Sequence, residues 1–184
     1  MKVIKIICVL VCCAASYMQS YAAIDIYMRV VNSSGKQIDG DVTVRGYERT
    51  IHLNAGGQAN STTTSFIGGG AGVGKPTMGP FNFEGELSSA SEPLMSALYK
   101  GEKLNSVDIY YVNSGCNCAF YKVHMENVYL TNLSEATSDS AVVQQFSFAP
   151  YQVAWAYYKP AATKPSSQFG WDIQRGTVFS YTFP

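Results

Sequence analysis

Charge of one sign is what this sequence lacks most clearly. Its 184 residues carry 13 lysines and arginines against 13 aspartates and glutamates. A protein that binds a nucleic acid backbone or an anionic membrane surface by electrostatics concentrates lysine and arginine on one face or one helix. The sequence shows neither a basic stripe nor a cationic helix, so it predicts no nucleic acid partner and no binding to a lipid surface.

Histidine is also scarce, since His52 and His124 are the only two in the chain. Neither stands in a local pattern of serine, cysteine or carboxylate that marks a nucleophile system, although a triad can still form in space. Glu84 and Glu86 are spaced as on one face of a strand, where outward-facing carboxylates are the ordinary arrangement. The sequence therefore predicts no enzyme, with no catalytic residue, no cofactor and no metal site.

Cysteine is sparse after residue 22, where only Cys116 and Cys118 remain of the five in the chain. Two cysteines make no disulfide framework. They can be turn residues, a small strained disulfide ring, or half of a metal site with His124. We favour turn residues with at most a local disulfide, because no second cysteine pair completes the usual set of metal ligands.

A long apolar run occurs near the N-terminus, and it has the pattern of a secretory signal peptide. Residues 1–5 are basic, residues 6–15 are apolar, and Ser20-Tyr21-Ala22 offers small residues for cleavage. The apolar run is shorter than the ~20 residues that span a bilayer, so a retained anchor is a weaker interpretation. Lipidation at Cys12-Cys13 is weaker still. We expect an exported protein that is periplasmic or secreted, cleaved after Ala22 and not inserted in a membrane afterwards.

A long glycine-rich segment, Asn54 to Pro80, lies within what we expect to be one domain over residues 23–184. Loops of this length are unusual in a compact domain. Gly69 to Lys75 matches the glycine and lysine spacing of a phosphate-binding loop, but Pro76 stands where serine or threonine should hold magnesium. Proline also opposes the helix that must follow. We expect no nucleotide binding here, and a loop that gives flexibility or close approach to a partner.

One short helix is predicted after a strand at Phe81 to Glu84. Ser88 to Pro93 supplies serines that can cap free N–H groups and a proline suited to a first turn. Leu94 and Leu98 then recur at helical spacing, and Lys100-Gly101 provides a cation followed by a residue that tolerates left-handed geometry. The predicted helix is about ten residues long.

Most of the remaining chain has the alternation of β-strands. Val107 to Tyr111 leads into turn residues at Asn113 to Asn117, and two later strands are expected over Val142 to Phe148 and Tyr151 to Tyr158. A strand between the turn and these two strands should carry Tyr121, Val123 and Met125 on one face. The other face should carry Lys122, His124 and Glu126 and be solvated or face an interface.

Aromatic residues are abundant, with 13 tyrosines and 9 phenylalanines. Tyrosine combines an apolar ring with a polar tip and is enriched at protein interfaces. Trp155 and Trp171 are interpreted as core anchors. For four tyrosines an ordinary strand position and an interface role remain equally open: Tyr151, Tyr157, Tyr158 and Tyr181.

A series of motifs, in order and spacing, spans nearly all of the chain after Ala22. They are Ala23-Ile24-Asp25-Ile26-Tyr27-Met28, the serine-rich turn into Pro93-Leu94-Met95, Phe120-Tyr121-Lys122-Val123-His124-Met125-Glu126-Asn127-Val128, Gln145-Phe146-Ser147-Phe148, Val153-Ala154-Trp155-Ala156-Tyr157 and Gly170-Trp171-Asp172. In these motifs the chain resembles the Hcp family (haemolysin-coregulated protein), the tube proteins of bacterial type VI secretion.

The strand-rich pattern predicts a mainly β protein, either a compact barrel or two packed antiparallel sheets, with one short helix. The resemblance implies the same fold. It also implies hexameric rings that can stack into a tube, with the chain itself, the secretion apparatus and carried effectors as partners. The loop from Asn54 to Pro80 would then reach a neighbouring subunit. The alternative is an exported binding or structural β domain derived from the family, which the signal peptide favours.

Overall fold

A computed structural model describes residues 23–61, 64–65, 72–73, 77–137, 142–160 and 162–184. The predicted signal peptide, residues 1–22, lies outside the described residues. So does most of the run from Gly69 to Lys75 that matches the spacing of a phosphate-binding loop. In the part of the chain that the structure describes, no helix is both long and apolar enough to span a membrane.

Strands dominate the described residues, and one helix interrupts them. The elements, in chain order, are β1 (Ile24–Val31), β2 (Gln37–Ile38), β3 (Ile51–Ser61), β4 (Thr64–Ser65), β5 (Gly72–Val73), β6 (Thr77–Glu86), α1 (Ser91–Lys100), β7 (Lys103–Asn113), β8 (Cys118–Thr137), β9 (Val142–Tyr157), β10 (Ser167–Asp172) and β11 (Thr177–Val178). The expectation of a mainly β protein with one short helix is confirmed.

The main sheet closes on itself as a barrel. Its strands run in the order β9-β6-β3-β1-β7-β8, and β8 pairs back with β9, with every pairing antiparallel. Closure removes the free edges that an open sheet would leave on these strands. Of the two architectures that the sequence left open, the structure has the barrel.

Strand β9 is continuous where the sequence suggested two strands. Residues Val143–Phe148 pair with β6, whereas Gln152–Tyr157 pair with β10, and β8 lies along the other side of both halves. Pro150 lies between the halves opposite Val128. The two predicted strands are therefore one, held together by pairing with β8, and β10 and β11 extend the sheet beyond the barrel.

The core fills the barrel. Inward-facing positions on alternate residues bring large apolar side chains together, as the pleat of a strand requires. Val123 and Met125 are among them, as predicted, and Tyr121 packs against the cluster from its margin. The largest fully buried apolar side chains are Phe146, Phe148, Met28, Ile51, Leu53, Leu94, Leu104, Ile109 and Met125.

Helix α1 joins β6 to β7 and buries Leu94 and Ala97 against the core. It ends, as predicted, before Gly101, which adopts φ 60°. The Gly101 N–H donates to carbonyl oxygens of the last turn, at 3.1 Å to that of Leu98. A left-handed residue without a Cβ satisfies those carbonyls at little steric cost. The helix thus packs against the barrel core through these two apolar side chains.

The start of α1 differs from the serine cap that the sequence suggested. Ala90 occupies the cap position, and no side chain caps the helix there. Ser91 instead accepts a hydrogen bond from the Ser88 N–H (3.0 Å) and donates one to Gln144 Oε1 (2.6 Å). Gln144 is fully buried. The Ser91 hydroxyl therefore forms a tertiary hydrogen bond to β9 and does not cap the end of the helix.

The segment expected to be a loop from Asn54 to Pro80 is instead strand at both ends. Strand β3 pairs with β1 only through Ile51–Leu53, but it pairs with β6 as far as Ser61 and Thr77. Strand β6 in turn pairs with β9 only from Phe81 to Glu86. Residues 59–61 and 77–80 therefore form a short two-stranded ribbon, here called the arm. The sequence did not predict these strands, because the glycine-rich segment shows little alternation of apolar and polar side chains, which is the usual signal of a strand.

Candidate interaction surfaces

His124 lies on the outer face of the barrel between Lys122 and Glu126, as the strand alternation predicted. It is not solvated, however, because only 6% of its surface is exposed. The C-terminal residues 179–184 cover it, and the ring of Tyr181 stacks on the imidazole at 3.8 Å between centroids and 12° between planes. The sequence could not show this, since the covering residues are far away along the chain.

Both nitrogens of the His124 ring contact carboxylates. Nδ1 lies 2.5 Å from Asp108 Oδ1, and Nε2 lies 3.1 Å from Glu126 Oε1. Burial lowers the pKa of His124, but the hydrogen bonds and negative charge of Asp108 and Glu126 outweigh burial and raise the pKa above its ordinary value. The geometry therefore favours an imidazolium that donates from both nitrogens.

This arrangement does not suit general base catalysis by His124. A base needs a free ring nitrogen within reach of a substrate proton, and here both nitrogens are occupied and the ring is covered. His52 is the other histidine, and its Nε2 lies 3.9 Å from Asp25 Oδ1. Among the described residues, neither imidazole hydrogen-bonds a hydroxyl or thiol that could serve as a nucleophile.

Cys116 and Cys118 are exposed free thiols in the tight turn between β7 and β8. Cys118 Sγ donates to the Cys116 carbonyl oxygen at 3.1 Å, and Asn117 between them has φ 51°. The hydrogen bond with Cys116 raises the pKa of the Cys118 thiol. Within the described ranges, no three histidine, cysteine or acidic side chains gather to hold a metal ion.

Glu84 and Glu86 face outward, as expected for carboxylates on a strand. Glu84 accepts a hydrogen bond from Gln145 Nε2 at 3.3 Å, and the neighbouring Ser147 hydroxyl donates to Asn82 Oδ1 at 2.7 Å. These contacts join β6 to β9 on the outside of the barrel. The two acids therefore belong to a polar outer surface, and the structure does not place them around a reacting group.

The tyrosines whose role was open fall into two groups. Tyr151 and Tyr157 are exposed on the surface, whereas Tyr158 is buried and Tyr181 stacks on His124. Burial raises the pKa of both Tyr158 and Tyr181. The exposed pair stays available for a partner, and the other pair serves the packing of the C-terminal residues.

A ladder of three aromatic rings crosses β9 and β10. Phe169 stacks on Trp155 with centroids 5.9 Å apart and on Trp171 with centroids 6.3 Å apart. Both tryptophans pack against the core, as predicted, but from its margin, because each is partly exposed. Phe169 is 53% exposed. We call Trp155, Phe169 and Trp171 the aromatic face.

The strand beside the aromatic face ends the sheet. Strand β11 pairs with β10 through Trp171↔Val178 and Asp172↔Thr177, and Val178 is 72% exposed. An edge strand presents backbone N–H and C=O groups that can pair with another chain. The aromatic face and this edge together form an apolar surface with hydrogen-bonding capacity, which suits protein association better than small-molecule chemistry.

The family model described as "Type VI secretion system effector, Hcp" matches residues 27–157, from within β1 to the end of β9. The chain belongs to the Hcp family. Its members are secreted components of type VI secretion systems that self-assemble, and the family is structural rather than enzymatic. The resemblance carried by the sequence motifs is thus confirmed.

Solved Hcp structures have the same fold. Hcp1 of the E. coli EAEC 042 pathovar, a double mutant, is 23% identical over 76% of this chain and 95% of its own, with a TM-score of 0.67. Hcp1 of Salmonella typhimurium is 16% identical over 85% and 99%, with a TM-score of 0.70. A structure titled as a type six secretion system protein is 18% identical over 85% and 100%, with a TM-score of 0.74. No curated protein matches the chain.

Proposed function

We propose that this chain is a tube subunit or secreted effector of a type VI secretion system and that it assembles into hexameric rings. The observation that carries the proposal is the Hcp family match over residues 27–157, which coincides with a closed barrel of the Hcp fold. Function then resides in shape and self-association, without a cofactor or a catalytic site.

The arm supports self-association. A two-stranded ribbon is only marginally stable in water unless it packs against something else. The arm lies beyond the residues of β3 that pair with β1 and beyond those of β6 that pair with β9, so neither of its strands has a second neighbour among the described residues. Contact with a neighbouring subunit would stabilise it. This is the role that the resemblance assigned to the segment from Asn54 to Pro80.

A ring requires two different patches on each subunit, because each contact in a ring is heterologous. The arm is one candidate patch. The aromatic face and the exposed edge of β11 provide the other, with Phe169 and Val178 both more than half exposed. In the proposed contact, the arm of one subunit lies against the aromatic face and the β11 edge of the next subunit. Such a contact combines apolar burial with backbone hydrogen bonds.

The N-terminal pattern supports a second candidate function. Residues 1–22 read as a signal peptide, so we also consider an exported β domain, residues 23–184, that binds or supports a partner outside the cytoplasm. Such a domain would keep the Hcp barrel without forming the tube. The two functions differ in their oligomeric state, which makes the state of the mature chain the deciding measurement.

The experiment uses the chain from Ala23 onward, with light scattering and negative-stain images. Rings of one size are expected. Gly79→Ala should weaken them, because a Cβ at Gly79 would lie 2.9 Å from the Ala59 carbonyl oxygen and force the arm strands apart. Gly57→Ala is the matched control on β3 just before the arm, since a Cβ there meets nothing within 4 Å.

Rings from wild type and Gly57→Ala, with a shift toward monomer in Gly79→Ala, support the hexamer and the arm. Thermal melting of all three proteins checks that the barrel itself stays folded. A monodisperse monomer at high micromolar concentration in wild type contradicts ring formation. That result favours the exported binding domain.

A further inference from the structure

The C-terminal residues 179–184, here called the latch, lie over the outer face of β8 and β9. The Phe179 N–H donates to the Gly170 carbonyl at 2.9 Å. Phe183 is buried against Ala154 and Ala156, whose small side chains leave room for its ring. Apart from the Phe179 hydrogen bond, side-chain contacts hold most of the latch. A segment held this way can detach without unfolding the barrel beneath it.

The central contact of the latch is the Tyr181 ring on the His124 imidazole. A cation over the face of an aromatic ring is attracted by the ring, so the contact is stronger when His124 is protonated. The carboxylates of Asp108 and Glu126 also favour the protonated ring. Both nitrogens of an imidazolium donate, but a neutral imidazole has one donor and one acceptor. Loss of the proton therefore turns a nitrogen lone pair toward Asp108 or Glu126.

A second contact holds the end of the latch. Lys122 Nζ donates to the Pro184 carbonyl at 3.0 Å and lies 4.8 Å from the centre of the Tyr158 ring. A cavity of about 190 Å³ separates the latch from β1 and β7, and Arg29 and Tyr110 line it. The titratable and charged groups that face His124 or the latch from the packed elements are Arg29, Asp108, Tyr110, Lys122, Glu126, Tyr158 and Tyr181.

We propose that the latch is a proton-controlled cover, closed while His124 is an imidazolium and released when the imidazole loses its proton. Release would uncover the apolar strip of Ala154 and Ala156 on the outside of the barrel. The device belongs to this chain whether or not it forms rings, because every group that holds it comes from one subunit.

The direction of the pH dependence follows from the raised pKa of His124 in the folded protein. A raised pKa means that the proton stabilises the closed latch. This stabilisation is complete below the ordinary histidine pKa of about 6.5 and is lost as pH rises through the raised value. Among the neighbours, burial lowers the pKa of Lys122. Burial raises the pKa of Tyr110, so this phenol does not titrate in the pH range of the experiment below.

Cleavage by chymotrypsin after Tyr181 tests the proposal, because a closed latch is a poor substrate. Rates are measured between pH 6 and pH 9 by mass spectrometry. A synthetic peptide of residues 176–184 in the same tube corrects for the pH dependence of the protease. In wild type the corrected rate should rise about tenfold from pH 6 to pH 9. This is the change expected in the equilibrium between closed and open latch when one charge-assisted hydrogen bond is lost.

Histidine variants assign the effect. His124→Gln should be cleaved rapidly and equally at both ends of the pH range. His52→Gln, the matched control at the other histidine, should behave as wild type. A corrected rate that stays flat in wild type, or a rise that persists in His124→Gln, overturns the proposal.

A further variant keeps the test decisive if His124→Gln fails to fold. Asp108→Asn removes one of the carboxylates that raise the pKa of His124. The latch should then open at lower pH, with the midpoint of the corrected rate displaced toward acid. A midpoint that does not move would show that His124 does not control the latch.

Discussion

Truncating Phe169 to alanine tests the ring proposal at the most exposed ring of the aromatic face. Phe169 stacks on Trp155 and is 53% exposed. Burial of a large aromatic side chain removes ~150–250 Å² from water, so about 100 Å² of Phe169 remains for a partner to cover. At ~25 cal/mol per Å², this area corresponds to about 2.5 kcal/mol for each subunit contact.

We therefore expect Phe169→Ala to weaken each contact by up to about 70-fold, the factor that corresponds to ~2.5 kcal/mol. Mass photometry over a dilution series measures the concentration at which rings dissociate. Tyr99→Ala is the matched control, because Tyr99 is 83% exposed and lies on α1, which belongs to neither proposed patch. Thermal melting separates lost assembly from lost folding.

The reasoning is refuted if Phe169→Ala dissociates at the same concentration as wild type while both remain folded. In that case the aromatic face does not lie in the subunit contact. If Tyr99→Ala dissociates as readily as Phe169→Ala, general surface hydrophobicity rather than the aromatic face controls assembly.

Three further predictions concern folding and processing. Gly170→Ala should lower stability by ~1–3 kcal/mol in chemical denaturation, because a Cβ would lie 2.3 Å from the Phe179 carbonyl; unchanged stability would contradict the tight approach. Replacing Cys116 and Cys118 together by serine should leave the melting temperature unchanged, since both thiols are free and exposed; a large drop would indicate a structural disulfide or metal. Mass analysis of the native protein should find Ala23 at the N-terminus, and an intact residue 1 would contradict signal cleavage.

Several features could be read from the chain because they depend on neighbours in sequence. Helix α1 ends where Lys100-Gly101 predicted, since a left-handed glycine satisfies the last carbonyls locally. The turn at Asn113 to Asn117 and the inward face of Val123 and Met125 follow from turn chemistry and period-two alternation. The family could be recognised because its motifs keep this local pattern in order.

Local signals failed where a distant partner decided the conformation. Two separate strands were predicted over Val142 to Phe148 and Tyr151 to Tyr158, yet the pairing with β8 continues from one to the other. A serine between Ser88 and Pro93 was expected to cap the helix, but the Ser91 hydroxyl bonds to Gln144 on another strand. A helix cap is worth about 1 kcal/mol, and a buried long-range hydrogen bond of similar or larger size overrides it.

The sequence alone determined the strand-rich character, the helix Ser91–Lys100 and the membership in the Hcp family, because these rest on residue spacing along the chain. Only tertiary structure decided that the sheet closes into a barrel and that β3 and β6 extend into an arm. It also decided that His124 is buried under Tyr181 between two carboxylates. A strand's alternation shows which side chains share a face, but what covers that face depends on contacts between residues far apart in sequence.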